Sequence, residues 1–328
     1  MTDGDSGINR REFLARGVKA AAAVAATGAA AWLIRDRLGP AAQPPQATVT
    51  LPDYAIPALG RKMAIAKGAD RAKTVAAALA AIGGIEQFVR KGDRVVLKVN
   101  AAFATPPALS ATTHPELVAE VARLCLAAGA ASVLVTDNPI NDPASCFTLT
   151  GIEQAARRAG AKVAMPSAEA FAPTSVKGGW LILNWPLLYK PLAGAQKLIG
   201  LAPVKHHERA GASMILKNWY GLLGGRRNVF HQDINVIVKE LAMMVSPTLV
   251  ILDGTTTMMR NGPTGGSLDD LAATNTMIVS TDPVAADAFG ATLLGKTAAD
   301  LPYLGLAAAA GRGTTDNESL KPVRLNVD

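Results

Sequence analysis

Short apolar runs alternate with segments of helical periodicity along most of the chain. The runs that predict strands are 62–66, 94–100, 132–136, 162–165, 198–202, 248–252 and 277–280. The segments with apolar residues at helical spacing are 73–88, 116–128, 151–159, 235–244 and 283–294. Apolar strands that alternate with helices are typical of parallel sheets buried between two helical layers. The pattern therefore predicts an α/β fold with a mostly parallel sheet covered by helices on both faces.

The first 40 residues follow a different pattern. Arg10 and Arg11 are followed by Phe13 and Leu14, which is the arrangement of a twin-arginine (Tat) export signal. Residues 20–34 are Ala-rich and only mildly apolar, as is usual in such signals. We interpret residues 1–40 as a Tat signal or a short membrane anchor. We expect export by the Tat machinery to the periplasm or cell envelope.

The apolar part of this leader is shorter than the ~20 residues of a comfortable membrane-spanning helix. A cleaved signal and an uncleaved anchor, with membrane association through the N-terminus, therefore both remain open. A Pro-rich segment comes next, and residues 41–61 are interpreted as a linker. Residues 62–328 are interpreted as a single α/β domain, for which their length is sufficient.

Charge and cysteine content exclude two classes of function. The chain has 33 basic and 26 acidic side chains, and Lys and Arg occur at most in pairs without interleaved aromatic residues. We therefore expect no nucleic-acid binding, and a small anionic ligand fits the modest net charge of +7 better. Cys125 and Cys146 are too few for a Cys-ligated iron–sulfur cluster, so no self-contained cluster is expected. A disulfide and two separately buried thiols both remain open.

Polar residues collect where the predicted strands end, which is where open α/β sheets bind their ligands. Those residues are Lys98, Asn100, Asp137, Asn138, Lys205, His206, His207, Asp253 and Asp282. The stretch 203–231 is the densest in basic and imidazole groups and adds Lys217, Asn218 and His231. Because histidine transfers protons near neutral pH and lysine holds carboxylate or phosphate, this set predicts an anion site with acid–base chemistry.

Each residue of the set has a predicted role. The predicted catalytic residues are His206, His231, Lys217 and Asp253. The predicted substrate-binding residues are Lys98, Asn100, His114, Lys205 and Asn218. Of the neighbours His206 and His207, only one is expected in the site, because adjacent residues of a strand face opposite ways. Asp137 and Asp282 are candidate ligands of a divalent metal, and the cofactor is otherwise unknown.

A Gly-rich turn at 261–266 is a candidate anion cradle, with Gly262 and Gly265 as its cofactor-binding residues. A plain turn explains the same residues equally well. The turn lacks the Gly-Lys-Ser/Thr ending of a P-loop, so nucleotide hydrolysis is not predicted. The dinucleotide-binding glycine fingerprint is also missing after the first predicted strand.

From Met63 to about Leu294 the chain resembles the domain-of-unknown-function family 362. The matching segments are Lys98 to Asn100, Ala111 to Pro115, Val135 to Asp137, Lys205-His206, Lys217-Asn218 with Gly221, His231, Asp253-Gly254, Gly262-Pro263 with Gly265, and Asp282 to Asp287. Members of this family are often fused to ferredoxin-like iron–sulfur modules. This chain lacks the Cys-rich module and is similar to a stand-alone, exported type. The resemblance implies the α/β fold and the site, but no cofactor.

Two functions are compatible with these features. The first is an envelope enzyme that binds a small carboxylate or phosphate substrate and uses Lys/His/Asp acid–base or metal-assisted chemistry. The second is a non-catalytic binding or assembly factor for an exported redox or metal-cofactor system. Whether the chain is an enzyme is left open by the sequence.

Overall fold

The computed structural model describes residues 10–34 and 47–327, which belong to two compact units divided between Ala47 and Thr48. The first unit contains helix α1 (Arg10–Ile34), whose side chains are exposed from residue 10 to residue 29. In these two ranges no helix has both the length and the apolar character that a bilayer crossing needs. Residues 1–9 and 35–46, which include parts of the predicted signal and linker, lie outside the described residues.

Strands and helices alternate along the second unit. Its strands are β1 (Met63–Lys67), β2 (Arg94–Lys98), β3 (Ser132–Thr136), β4 (Lys162–Ala164), β5 (Phe171–Thr174), β6 (Trp185–Leu188), β7 (Lys197–His207), β8 (Gly211–Ser213), β9 (Leu249–Met258), β10 (Leu271–Ser280) and β11 (Val323–Asn326). Its α-helices are α2 (Arg71–Ala81), α3 (Pro115–Ala127), α4 (Pro143–Leu149), α5 (Ile152–Arg158), α6 (Ile215–Asn218), α7 (Ile234–Met244), α8 (Pro283–Leu293) and α9 (Pro302–Ala309). The chain before β1 also contacts this unit, since Val49 N donates to Pro173 O and Tyr54 N to Ser246 O.

Nine of these strands form one sheet in the order β11-β1-β10-β9-β7-β2-β3-β4, with β8 paired to β7. Strands β9, β7, β2, β3 and β4 are parallel neighbours, and β1 is parallel to β11. Strand β10 runs antiparallel to both β1 and β9. Strands β5 and β6 form a separate antiparallel pair. The sheet is therefore mixed but mostly parallel, and the predicted α/β fold is confirmed.

Alternate residues of each central strand serve two hydrophobic cores. In β9, Val250 and Leu252 contact the core that contains α7, α8 and α9. Leu249 and Ile251 contact the core that contains α2, α3 and α5. Burying a side chain of this size contributes about 1.5–3 kcal/mol relative to exposure. A strand with apolar residues on both faces is thus stabilised from two sides, which explains the continuous apolar runs.

Several predicted boundaries were wrong. Strand β7 continues to His207 because β8 pairs antiparallel with its end, with Lys205 opposite Ser213. Lys205, His206 and His207 therefore belong to the strand instead of following it. Asp253 likewise lies inside β9. The helix predicted for 73–88 ends at Ala81, shortly before the Gly83-Gly84 pair.

Candidate functional site

A cavity of about 680 Å³ opens at the carboxyl ends of β2, β3 and β7. The segment from α6 to the 3₁₀ helix Arg227–Asp233 forms the opposite wall. Six residues of the predicted site line this cavity: Asn100, Asp137, Lys205, Lys217, Asn218 and His231. They come from chain segments far apart in sequence, and the sheet brings them together at one edge.

The end of β7 contributes Lys205 and His207, which lie on the same side of the strand because side chains alternate. His206, predicted to be catalytic, points the other way. Its Nδ1 accepts a hydrogen bond from Gly262 N at 3.2 Å, and it is not among the residues that line the cavity. The histidine that β7 supplies to the cavity is therefore His207, which the sequence-based choice passed over.

His207 is a neutral imidazole with a defined tautomer. Its Nδ1 accepts hydrogen bonds from Arg209 N and Ala210 N, both at 3.2 Å. Burial lowers the pKa of His207 to about 2, and the charges of Lys217 and Lys205 add to the effect. Because Nδ1 accepts, the proton of the neutral ring is on Nε2. His207 is thus a hydrogen-bond donor that carries no charge.

His231 has the opposite arrangement of ring nitrogens. Its Nδ1 lies 3.2 Å from Tyr220 Oη and 3.2 Å from Asn228 O. Tyr220 donates its own proton to Arg227 O at 2.6 Å, so both neighbours of Nδ1 offer an acceptor and Nδ1 carries the hydrogen. Burial, reinforced by Lys217, lowers the pKa of His231. The ring is therefore neutral near pH 7, and its Nε2 is free to accept a proton. The rings of His207 and His231 stack with centroids 5.9 Å apart and planes inclined by 13°.

Lys205 and Lys217 are buried cations with lowered pKa values. The Lys205 ammonium donates to Ala111 O and to Pro263 O and lies 5.1 Å from the centre of the Phe103 ring. Burial lowers its pKa to about 7, with a further contribution from Lys217. Burial also lowers the pKa of Lys217 to about 8, and the charge of Arg227 acts in the same direction.

Lys217 differs from Lys205 in its contacts. Its Nζ lies 5.1 Å from the centre of the Tyr220 ring. No hydrogen-bond or ion-pair partner of this ammonium occurs among residues 10–34 and 47–327. A side chain that is only 8% exposed and whose charge has no partner is costly. An anion in the cavity would remove this cost.

Asp137 does not supply that anion, because it is already paired. Its Oδ1 lies 2.7 Å from Lys98 Nζ, and its Oδ2 accepts from Ala101 N at 2.7 Å. Lys98 also donates to Val99 O and to Asn218 Oδ1, at 2.6 and 3.1 Å. Burial lowers the pKa of Lys98, and Asp137 opposes that shift. Of the described lining residues only Asp137 carries a carboxylate, so the cavity keeps a surplus of positive charge.

Arg227 and Gly221 shape the wall around this pair, and neither was among the predicted site residues. Arg227 donates to four backbone oxygens, those of Tyr220, Leu223, Asn138 and Pro139. It therefore holds two loops together while lining the cavity. Gly221 leaves no space for a Cβ atom, since that atom would overlap Asp137 Oδ1 and approach Lys98 Nζ. A glycine is needed here for a close approach of backbone to the ion pair.

Several predicted site residues lie outside the cavity lining. His114 caps α3, and its Nδ1 accepts a hydrogen bond from Glu116 N at 3.4 Å. Asp253 pairs with Arg71 at 3.0 Å. Burial lowers the pKa of His114, and the charge of Asp253 opposes that shift. Asp282 caps α8 by accepting from Val284 N and Ala285 N.

The glycines of the turn at 261–266 have a packing role. Added Cβ atoms would meet His206 O at Gly262 and the Met258 side chain at Gly265. The neighbouring Pro263, in contrast, lines the cavity. The two candidate metal ligands are not brought together, as Asp137 pairs with Lys98 and Asp282 caps a helix. Over the described ranges, no group of three or more His, Cys, Asp or Glu side chains is arranged to hold a metal ion.

Cys125 and Cys146 are free and buried. Burial raises the pKa of Cys125 to about 12 and that of Cys146 to about 11. Both thiols are thus protonated at neutral pH and behave as small apolar side chains.

Comparison with known proteins identifies the family. The family model for the domain of unknown function DUF362 matches residues 95–292, more than half of the chain, and the protein belongs to this family. The chain is 26% identical over 255 residues to the thylakoid-associated protein sll1697 of Synechocystis sp., covering 74% of this chain and 75% of that protein.

Among solved structures, the protein is similar to the lactate racemase apoprotein from Thermoanaerobacterium thermosaccharolyticum. The match has a TM-score of 0.37 and 14% identity, and it covers 72% of this chain. The chain spans 57% of the length of that structure, and the likeness concerns the fold alone.

Proposed function

We propose that this protein is an enzyme that binds a small carboxylate or phosphate substrate in the cavity and transfers a proton to or from it. The observation that carries the proposal is the buried ammonium of Lys217, which faces the cavity without a partner among the described residues. A bound anion would pair with it in a site of low dielectric, where such an interaction is strong.

The two histidines supply complementary functions in this proposal. His207 donates a hydrogen bond from Nε2 to a substrate oxygen on which negative charge develops. His231 accepts the substrate proton at Nε2 and remains oriented by its Nδ1 contacts with Tyr220 and Asn228. Acid–base chemistry needs only groups that the cavity contains, whereas Asp137 and Asp282 are both engaged elsewhere. We therefore favour acid–base chemistry over a metal-assisted reaction.

Identification of compounds retained by the purified full-length protein tests the proposal. Mass spectrometry of the native protein is expected to detect an anionic compound that the Lys217→Met variant has lost. Lys190→Met, at an exposed lysine outside the cavity, is the matched control and should retain it. Retention of the same compound by Lys217→Met would contradict the anion site.

Proton transfer is tested separately with the retained compound in D₂O. The wild type is expected to exchange a carbon-bound hydrogen for deuterium, and His231→Gln to bind the compound without exchange. Binding without exchange in the wild type would reject the enzyme and favour the alternative, a binding or assembly factor.

We also propose that the Tat pathway exports the protein to the cell envelope. Exposed Arg10 and Arg11 in the first turn of α1 support this, as does similarity to a protein named for its thylakoid association. Replacement of both arginines by lysine is expected to retain the protein in the cytoplasm on cell fractionation. Arg16→Lys, in the same helix, is the matched control. Continued export of the double variant would contradict the proposal.

A further inference from the structure

The cavity changes from cationic to apolar between its interior and its opening. Lys205 and Lys217 are only 1% and 8% exposed, so their charges lie deep. Phe171 and Pro263 are half-buried lining residues, and Ile140 is 65% exposed. A ligand that contacts all of these groups must have a charged end that points inward and an apolar end near the opening.

The volume of the cavity supports the same conclusion. A water molecule occupies about 30 Å³ of liquid, so 680 Å³ exceeds the space needed for a carboxylate or phosphate group many times over. Cavities of about 300–1,000 Å³ hold ligands of drug size. The cationic groups account for one end of such a ligand, and most of the remaining volume needs another occupant.

The apolar side chains of the cavity wall indicate that hydrocarbon fills the remaining volume. Phe103 is a buried lining residue with the Lys205 ammonium 5.1 Å from its ring centre, so the cationic and apolar parts of the cavity are adjacent. Phe171 and Ile140 extend the apolar surface towards solvent. Burial of hydrocarbon against these side chains is favourable in proportion to the area removed from water.

We propose that the ligand is an amphiphilic acid, a carboxylate or phosphate joined to one hydrocarbon chain or aromatic ring. Its anion pairs with Lys217 and its apolar body lies along Phe103, Phe171 and Ile140. This inference rests on the proposed anion site and adds the class of substrate that the site selects.

A series of straight-chain carboxylates tests this inference by calorimetric titration of the full-length protein at pH 7. The probes are acetate, butanoate, hexanoate and octanoate, each below its micelle concentration. Affinity is expected to rise about fourfold for each methylene that the cavity buries. Equal affinity for all four acids would overturn the inference and leave the anion site intact.

Variants and a neutral probe separate the two parts of the ligand. Phe171→Ser is expected to lower the affinity for octanoate by about tenfold, and to lower that for acetate much less. Leu306→Ser, at an exposed leucine of α9, is the matched control and should change neither. Octanamide, which has the chain but no charge, should bind more weakly than octanoate. Octanamide binding as tight as octanoate, or no binding by any acid, would overturn the proposed anion site and this inference with it.

Discussion

Lys98 and Asp137 form an ion pair of 2.7 Å in which both side chains are almost fully buried and Asp137 lines the cavity. Removal of one partner leaves the other charge buried and unpaired, which typically costs about 3–5 kcal/mol. We expect Lys98→Met and Asp137→Leu each to lower the free energy of unfolding by that amount in urea titrations. The double variant should lose less than the sum of the two. Additive losses would show that the pair does not couple.

Gly221 determines whether this pair can form. A methyl group at this position would occupy the space beside Asp137 Oδ1 and Lys98 Nζ. We therefore expect Gly221→Ala to separate the pair and to reduce the free energy of unfolding by about 1–3 kcal/mol, the usual cost of overpacking. Gly305→Ala, in α9 with open space around its Cα, is the control and should be neutral or slightly stabilising. A neutral effect of Gly221→Ala would contradict the close approach.

The position of His206 outside the cavity lining shows which part of the site could be predicted from the sequence and which could not. Lys205 and one histidine of the His206-His207 pair were both predicted in the site, and alternation along a strand places Lys205 on the same side as His207, two positions further on. Choosing His207 over His206 required knowing that the strand extends to His207. The apolar pattern stopped at residue 202, because the last residues of β7 are polar and are paired by the short strand β8. The hydrophobic periodicity alone therefore did not show which of the two histidines lies on the cavity side of β7.

Strand ends provide structural as well as functional positions, and the sequence pattern does not distinguish the two. Asp282 follows a strand directly, yet its carboxylate caps α8. Arg227 was not among the predicted site residues, although its four backbone contacts join loops that are distant in sequence. Long-range contacts of this kind have no local pattern. In contrast, the apolar strands of the two cores were evident because burial on both faces leaves continuous apolar runs.

The tautomer of His207 can be observed directly. We expect nitrogen-detected NMR to show a neutral ring with the hydrogen on Nε2 from pH 5 to pH 8, because its pKa is lowered to about 2. Since the folded-state pKa is below the ordinary value of 6.5, the unfolded state binds more protons at acid pH. The contribution of His207 to stability should therefore decrease as the pH falls below 6.5. Titration of this ring near pH 6.5 in the folded protein would contradict the arrangement.

Asp287 positions the segment that carries Lys217. Its two carboxylate oxygens accept hydrogen bonds from Ile215 N and Leu216 N, each at 2.9 Å, and burial raises its pKa to about 7. Asp287→Ala leaves two buried donors without partners, at about 1–3 kcal/mol each. We expect it to weaken octanoate binding under conditions where the variant is folded. Asp287→Asn retains one acceptor oxygen and should rescue part of the loss. Full octanoate affinity in folded Asp287→Ala would reject a positioning role.

Anion binding should depend on pH through the two buried lysines. An anion pairs with the charged form of Lys217, whose pKa in the free protein is lowered to about 8, and Lys205 titrates near pH 7. Octanoate affinity is therefore expected to be highest below pH 7 and to fall as the pH rises through 7 to 8. The decline should approach about tenfold per pH unit for each proton that binding requires. Calorimetry between pH 6 and pH 9.5 measures this profile directly.

Lys205 and Lys217 also affect how the free energy of unfolding changes with pH when no ligand is bound. Their folded-state pKa values lie below the ordinary lysine value of 10.5, so the unfolded state binds more protons between pH 7 and pH 10.5. The contribution of these two lysines to the free energy of unfolding should therefore rise with pH in that window, and Lys217→Met should flatten the rise. Saturating octanoate should flatten it too, because the bound anion keeps Lys217 charged in the folded state. A flat affinity profile with an unchanged stability slope in Lys217→Met would mean that this lysine does not titrate in the cavity.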